Sequence, residues 1–224
     1  MHLDPMQIFM LSLSWIVYGA IHSVLASLAF KGWVAHRAPA LMPAYRLVFN
    51  VLSVVLLLPS LWMTYVWSGP LLWAWTGAAA WLANALALAA LAGFAISSRY
   101  YDMTSFSGLS QWRSREHAVE DLGGFRLSPL HRHVRHPWYA LGLVILWTRD
   151  MDEARLVSTL FISLYLWIGA AFEERKLRVF HGDVYARYQR MVPGLLPLPG
   201  RSLNANEARE LEAMSRQSHQ HEHP

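Results

Sequence analysis

The densest run of side chains able to do chemistry is His131-Arg132-His133-Val134-Arg135-His136-Pro137-Trp138-Tyr139. Proline in the first turn of a helix costs no hydrogen bond, so Pro137 marks a helix start with free backbone amides and a positive end. Together with Arg132 and Arg135 that end suits a carboxylate or a phosphate. The same run would also serve as a basic collar holding a helix to lipid headgroups. Three close histidines raise the question of a metal. Helix is disfavoured just before Pro137, however, and no Cys or Asp stands at ligand spacing, so no metal site is expected.

A second cluster, Glu173-Glu174, directly follows an apolar run. Adjacent carboxylates at a membrane boundary are costly unless hydrated, hydrogen-bonded or paired. They read either as a structural ion-pair network or as half of a site for a ligand carrying both signs of charge. A third group is Gly182-x-x-Tyr185-x-x-Tyr188-x-x-x-Val192-Pro193, where Tyr185 and Tyr188 share a face of a short helix beside Arg187 and Arg190. Such a helix suits either the membrane interface or a lid over a pocket. His22, four residues after Tyr18, is the one ionisable group deep in an otherwise apolar segment. An intramembrane ionisable residue is a functional hypothesis, and a hydrogen bond to Asn84 or to backbone is its structural alternative.

The elements that must position these groups are helices in lipid. A chain of 224 residues with 54% hydrophobic and 15% charged side chains, at a mean hydropathy of +0.23, is too apolar for a water-soluble domain. Disorder, coiled coil and nucleic-acid modules are excluded. With no cysteine, so are a disulfide framework, an Fe–S cluster and a thiolate nucleophile. Apolar stretches at residues 7–30, 45–67, 71–96, 137–148 and 156–172 predict an all-α, polytopic integral membrane protein with five transmembrane helices. Short cytoplasmic helices follow. The fourth stretch rises only about 18 Å, short of a core of roughly 30 Å.

Ser68-Gly69-Pro70 predicts a tight turn between the second and third spans, and Arg149–Arg155 another between the fourth and fifth. The second hairpin would set Arg135 and His136 beside Glu173 and Glu174. Gly182 is expected to cap the helix that leaves the membrane, with Asp183 starting the next. The polar stretch 97–136, which includes Gly123-Gly124 and Pro129, is too long for a bare connector. One domain is expected over 1–199. The tail 200–224, with alternating His219, His221 and His223, is expected to be mostly disordered apart from a short helix at 207–216. Of the 19 lysines and arginines, all but Arg149 and Arg155 fall on one side of this topology. That puts the N-terminus outside, with the 97–136 loop and the C-terminal region in the cytoplasm. The basic balance is thus a topology signal, and nucleic acid is not an expected partner.

Taken in order, Arg135-His136-Pro137-x-Tyr139, a hydrophobic hairpin, Glu173-Glu174-x-x-Leu177 and Gly182-x-x-Tyr185-x-x-Tyr188-x-x-x-Val192-Pro193 resemble the isoprenylcysteine carboxyl methyltransferase and phospholipid methyltransferase superfamily. His22-Ser23-x-Leu25-Ala26-Ser27 followed by Lys31 further resembles its NnrU-like and methanethiol S-methyltransferase-like branch. The resemblance implies a membrane enzyme of a prokaryotic cytoplasmic membrane that uses S-adenosylmethionine. Arg135, His136, Tyr139, Glu173, Glu174 and Tyr185 would hold the cofactor, and Glu174 or His181 would take a proton from the acceptor. His22, Tyr188 and Arg132 would meet the substrate, a small apolar or lipid-like thiol, prenylcysteine carboxylate or amine lipid arriving from the bilayer. The chain departs from the pattern at Leu141, where a glycine is usual, at Pro129-Leu130-His131, and at His181 in place of phenylalanine. Two other readings stand beside it: a sterol-reductase-type enzyme using NADPH, and a non-catalytic membrane accessory or sensor protein.

Overall fold

Backbone amides buried in lipid must find partners within their own segment, so long apolar runs are dictated to be helical. The computed structural model bears this out; it describes residues 2–116 and 125–222, the side chains of 218–222 excepted. Gly123, Gly124 and His223, and the side chains of His219 and His221, lie outside the described residues. In chain order the elements are α1 (Pro5–Ala26), α2 (Leu28–Arg37), α3 (Met42–Val66), β1 (Leu71–Trp73), α4 (Gly77–Ser97), α5 (Met103–Ser107), α6 (Leu109–Ser114), α7 (Pro137–Trp147), β2 (Met151–Asp152), α8 (Glu153–Met191) and α9 (Ala205–Glu222). Single 3-10 turns occupy Pro39–Leu41, Ser98–Tyr100 and Pro129–Arg132.

Among the described residues four helical runs, Pro5–Ala26, Pro39–Val66, Gly77–Tyr100 and Glu153–Met191, are long and apolar enough to cross a membrane, and α7 is a shorter apolar helix. Their surfaces agree with that. Tyr65, Trp81 and Leu88 are each more than 60% exposed, a display of apolar surface that lipid solvates and water does not. The chain is an all-α integral membrane protein.

The described parts of Met1–Trp81, Tyr101–Asp121 and Arg149–Ile162 form one compact unit. Asp4 caps α1 through a capping box with Gln7, and Leu11 and Trp15 pack in a cluster with Ala154, Leu57 and Phe161. A polar seam runs through the apolar helices: Trp15 Nε1 donates to Ser158 Oγ at 2.9 Å, Thr64 Oγ1 and Ser158 Oγ are 2.5 Å apart, and Ser60 donates to Ser14 at 3.0 Å. The polar stretch with no sequence assignment holds α5 and α6. They dock on α3, where Asn50 Nδ2 donates to the carbonyls of Phe106 and Ser107 at 3.1 and 3.0 Å. Gly108 between them has φ 87, and a Cβ there would lie 2.5 Å from the Leu47 nitrogen, so only glycine fits.

The described parts of Leu82–Tyr100, Leu122–Thr148 and Ser163–Pro224 form the second unit. Here α4 and α7 approach closely at Gly93, where an added Cβ would sit 3.0 Å from Leu141. Trp138 Nε1 donates to Ser97 Oγ at 3.0 Å across the same contact. Its core is Val184, Tyr185, Tyr188, Val192, Leu203, Ala208 and Leu211.

Boundaries depart from the hydropathy reading where local chemistry intervenes. The first apolar stretch breaks at Ser27, whose backbone is extended (φ −70, ψ 144) and whose side chain accepts from Phe30 N to start α2. The second helix starts three residues earlier, at Met42, with Pro43 in its first turn. The third begins at Gly77 because Leu71 and Trp73 pair antiparallel with Asp152 and Met151, so residues 68–76 are not a simple tight turn. At Gly182 the expectation holds: its φ 49 and ψ −129 interrupt α8, and helix resumes on the far side. The short helix expected at 207–216 is the middle of a longer one, α9, where disorder was expected on either side of it; its Ala208, Leu211 and Ser215 are buried one above another.

Candidate active site

Two sequence motifs some forty residues apart meet in the second unit. Pro137 starts α7 with no side-chain cap, and the residues before it are pinned by backbone: Arg135 N donates to Pro193 O at 2.8 Å and His136 N to Gly194 O at 3.1 Å. The loop that leaves α8 therefore holds the run that enters α7. From α8 the paired glutamates reach back to the same run.

Glu174 is the hub. Its Oε1 accepts from Arg135 Nε at 2.8 Å and from a terminal guanidinium nitrogen at 2.6 Å, and His136 Nε2 stands 3.1 Å away. Its Oε2 accepts from Gln189 Nε2 at 2.8 Å. Arg135 further donates to the carbonyls of Gln189, at 3.1 Å, and Val192. A carboxylate offers about four lone-pair positions, and here three donors crowd Oε1 while one reaches Oε2. Glu173 is differently placed. Its Oε2 lies 3.4 Å from His136 Nδ1, and its side chain is 47% exposed against 18% for Glu174. Tyr139 donates its hydroxyl to the same Glu173 oxygen at 3.2 Å and stacks its ring on His136 at 5.3 Å and 9°.

His136 thus bridges two carboxylates. Burial works against its charged form, but the hydrogen bonds and charges of Glu173 and Glu174 outweigh burial and raise its pKa above the ordinary 6.5. His131 goes the other way. Burial and the neighbouring His136 push it down to about 4. Its Nδ1 faces Ser128 Oγ at 2.8 Å and accepts from Ser128 N at 3.2 Å, which leaves the proton on Nε2.

The tyrosines close the buried side. Tyr188 donates its hydroxyl to His131 O at 2.6 Å, and its ring meets Tyr185 and Phe125 edge-on. Tyr185 is 1% exposed, and its buried hydroxyl meets no partner in hydrogen-bonding geometry among the described residues, with the Arg135 guanidinium beside it. It lies within electrostatic reach of Glu174, Arg135 and Glu173. An enclosed, unsatisfied hydroxyl costs about 1–3 kcal/mol and suits a ligand that brings a polar atom. Arg132 donates from Nε to Leu203 O at 3.0 Å, and its terminal nitrogens make no hydrogen bond among the described residues.

Of the expected residues, Arg135, His136, Tyr139, Glu173 and Glu174 form one contact network, with Tyr185 bordering it. Tyr188 and Arg132 are joined to its support through His131 and Leu203. His181 is 6% exposed, its Nδ1 3.3 Å from Ser215 Oγ of α9 and its ring 5.2 Å from Phe125. His22 belongs to the other unit, between the rings of Tyr18 and Phe49. Gln189 had no place in the motif reading. Its signal was available only as an uncharged polar residue among the arginines of the last turn of α8. No group of three or more metal-ligating side chains occurs among the described residues.

A methanethiol S-methyltransferase of a Pseudomonas species is 31% identical over 201 residues, 86% of this chain and 74% of the relative. Methanethiol S-methyltransferase 2 of Bradyrhizobium diazoefficiens is 34% identical over 179 residues, 79% of this chain and 68% of the relative. A methanethiol S-methyltransferase of Mycobacterium tuberculosis is 29% identical over 197 residues, covering 83% and 76%. No family profile and no solved structure matches the chain.

Proposed function

Because the chain belongs to the methanethiol S-methyltransferase family, in the isoprenylcysteine carboxyl methyltransferase-like superfamily, and is a membrane methyltransferase, we propose that it methylates a small apolar thiol with S-adenosylmethionine. The observation that supports this best is the cluster itself: guanidinium, imidazole, two carboxylates and two tyrosines drawn from the two halves of the motif.

When bound, S-adenosylmethionine supplies an electrophilic methyl group on a sulfonium. The residues present fit such a donor. Glu173, half-exposed and held by Tyr139 and His136, would take its cationic or hydroxyl groups. The terminal nitrogens of Arg132 and the start of α7 would take its carboxylate. The unsatisfied Tyr185 hydroxyl would meet a further polar atom.

Glu174 and His181 were the first candidates for proton removal. Glu174 is tied to His136, the Arg135 guanidinium and Gln189, and the first two outweigh its burial and hold it well below the usual carboxylate range, and His181 is enclosed by Phe125 and Ser215. Glu173, the less enclosed carboxylate, is therefore assigned to accept the hydrogen bond of the acceptor thiol and to relay its proton to solvent as the new carbon–sulfur bond forms, while Glu174 holds the frame. Beyond proton transfer, the protein's contribution is alignment and exclusion of water. The acceptor reaches the site from the bilayer, and the basic residues orient the N-terminus outward with the cluster on the cytoplasmic side.

Thermal-shift and calorimetric titration in detergent with S-adenosylmethionine, S-adenosylhomocysteine and NADPH tests the reading. Stabilisation by the first two is expected. Stabilisation by NADPH alone would replace it with the reductase reading.

A further inference from the structure

Gln189 lies beyond the Gly182 break, yet it touches residues on the near side of it. Its Nε2 donates to Glu174 Oε2 at 2.8 Å, while its Oε1 accepts from Arg178 Nε at 3.1 Å and from a terminal nitrogen at 2.5 Å. A side-chain amide has one acceptor end and one donor end. With a guanidinium on one side and a carboxylate on the other, only one orientation satisfies both. The backbone carbonyl of the same residue accepts from Arg135 at 3.1 Å and Arg201 at 3.3 Å.

Without the Gln189 amide, Glu174 Oε2 has no donor among the described residues, and only the contacts to Oε1 still fix the rotation of the carboxylate. The charge-assisted hydrogen bond to His136 Nε2 is then held less firmly in its geometry. Arg178 is exposed and remote in sequence from the RHP run, but it fixes which end of the amide faces Glu174.

We propose that Gln189, set by Arg178, is a positioning residue that locks Glu174 onto Arg135 and His136 and so keeps the methyl-donor site in its binding form. The affinity part of this rests on the donor-binding reading above; the positioning part does not.

The test uses full-length protein in detergent micelles and two readouts. Imidazole NMR follows the His136 titration, with its resonance assigned by loss in His136→Gln. Calorimetry follows binding of S-adenosylhomocysteine. The groups facing His136 are Glu173 and Glu174 from α8, Tyr139 from α7 and His131 from the preceding turn. Gln189→Leu is expected to lower the His136 midpoint toward 6.5 and to weaken ligand binding about tenfold. Arg178→Met, at an exposed position and so benign for folding, should do both to a smaller degree. The double variant should match Gln189→Leu alone, as residues acting through one chain are not additive. An unchanged His136 titration in both folded single variants would overturn the proposal. A wild type that binds no ligand while Gln189→Leu still moves His136 would refute the methyltransferase site and leave the positioning role standing.

Discussion

Replacing Glu174 by glutamine removes one charge from the most connected side chain in the cluster and keeps its shape. Three donors, two from Arg135 and one from His136, converge on Oε1, and Gln189 donates to Oε2. An amide cannot accept at both ends, so one donor must face another. Arg135 keeps the carbonyls of Gln189 and Val192 but loses its counter-ion. Breaking a fully buried pair from one side costs roughly 3–5 kcal/mol. Here the two side chains retain 13% and 18% exposure, so water screens part of the loss and about 2–3 kcal/mol is expected. For a chain of this size that is a fall of about 4–12 °C in thermal midpoint. Differential scanning fluorimetry in one detergent, with and without S-adenosylhomocysteine, reads it directly, and the variant should also lose ligand stabilisation. A midpoint within about 1 °C of wild type, with ligand stabilisation intact, would refute the hub role of Glu174.

Other outcomes follow from the same geometry. Because His136 has a raised folded pKa, its contribution to stability is complete below 6.5 and is lost as pH rises through the folded value; the thermal midpoint should decline as pH rises above 6.5, and less so in Glu173→Gln. Gly182→Ala meets no steric neighbour but forces a side chain into φ 49, a backbone cost of about 1–2 kcal/mol visible as a lowered midpoint. Gly108→Ala combines φ 87 with a 2.5 Å contact to backbone and should be the more damaging of the two, compared in the same melt. Leu211→Ala, at 1% exposure in the cluster with Tyr185 and Tyr188, should cost about 2–5 kcal/mol and accelerate proteolysis of the C-terminal segment.

What sequence could and could not reveal follows the range of each interaction. The apolar helices were legible because each satisfies its own backbone, and the meeting of Arg135 and His136 with Glu173 and Glu174 followed from hairpin geometry alone. The break at Ser27 was hidden because a side-chain cap of one residue leaves no trace in hydropathy. Leu71–Trp73 looked like membrane helix since three apolar residues pairing with Met151 and Asp152 carry no helical period. The docking of α9 rests on Ala208, Leu211 and Ser215, a spacing present in the sequence but diluted by charged neighbours. Gln189 was missed for a physical reason: its partners stand 11 and 15 residues away, brought within reach only by the turn of the chain at Gly182.

Methyl transfer to a small thiol is read out by supplying purified protein in lipid nanodiscs with methyl-labelled S-adenosylmethionine and methanethiol. Headspace mass spectrometry should find the label in dimethyl sulfide, in step with formation of S-adenosylhomocysteine, and Glu173→Gln should abolish it. Protein that binds the donor yet leaves the thiol unlabelled across thiols of increasing size would contradict the account.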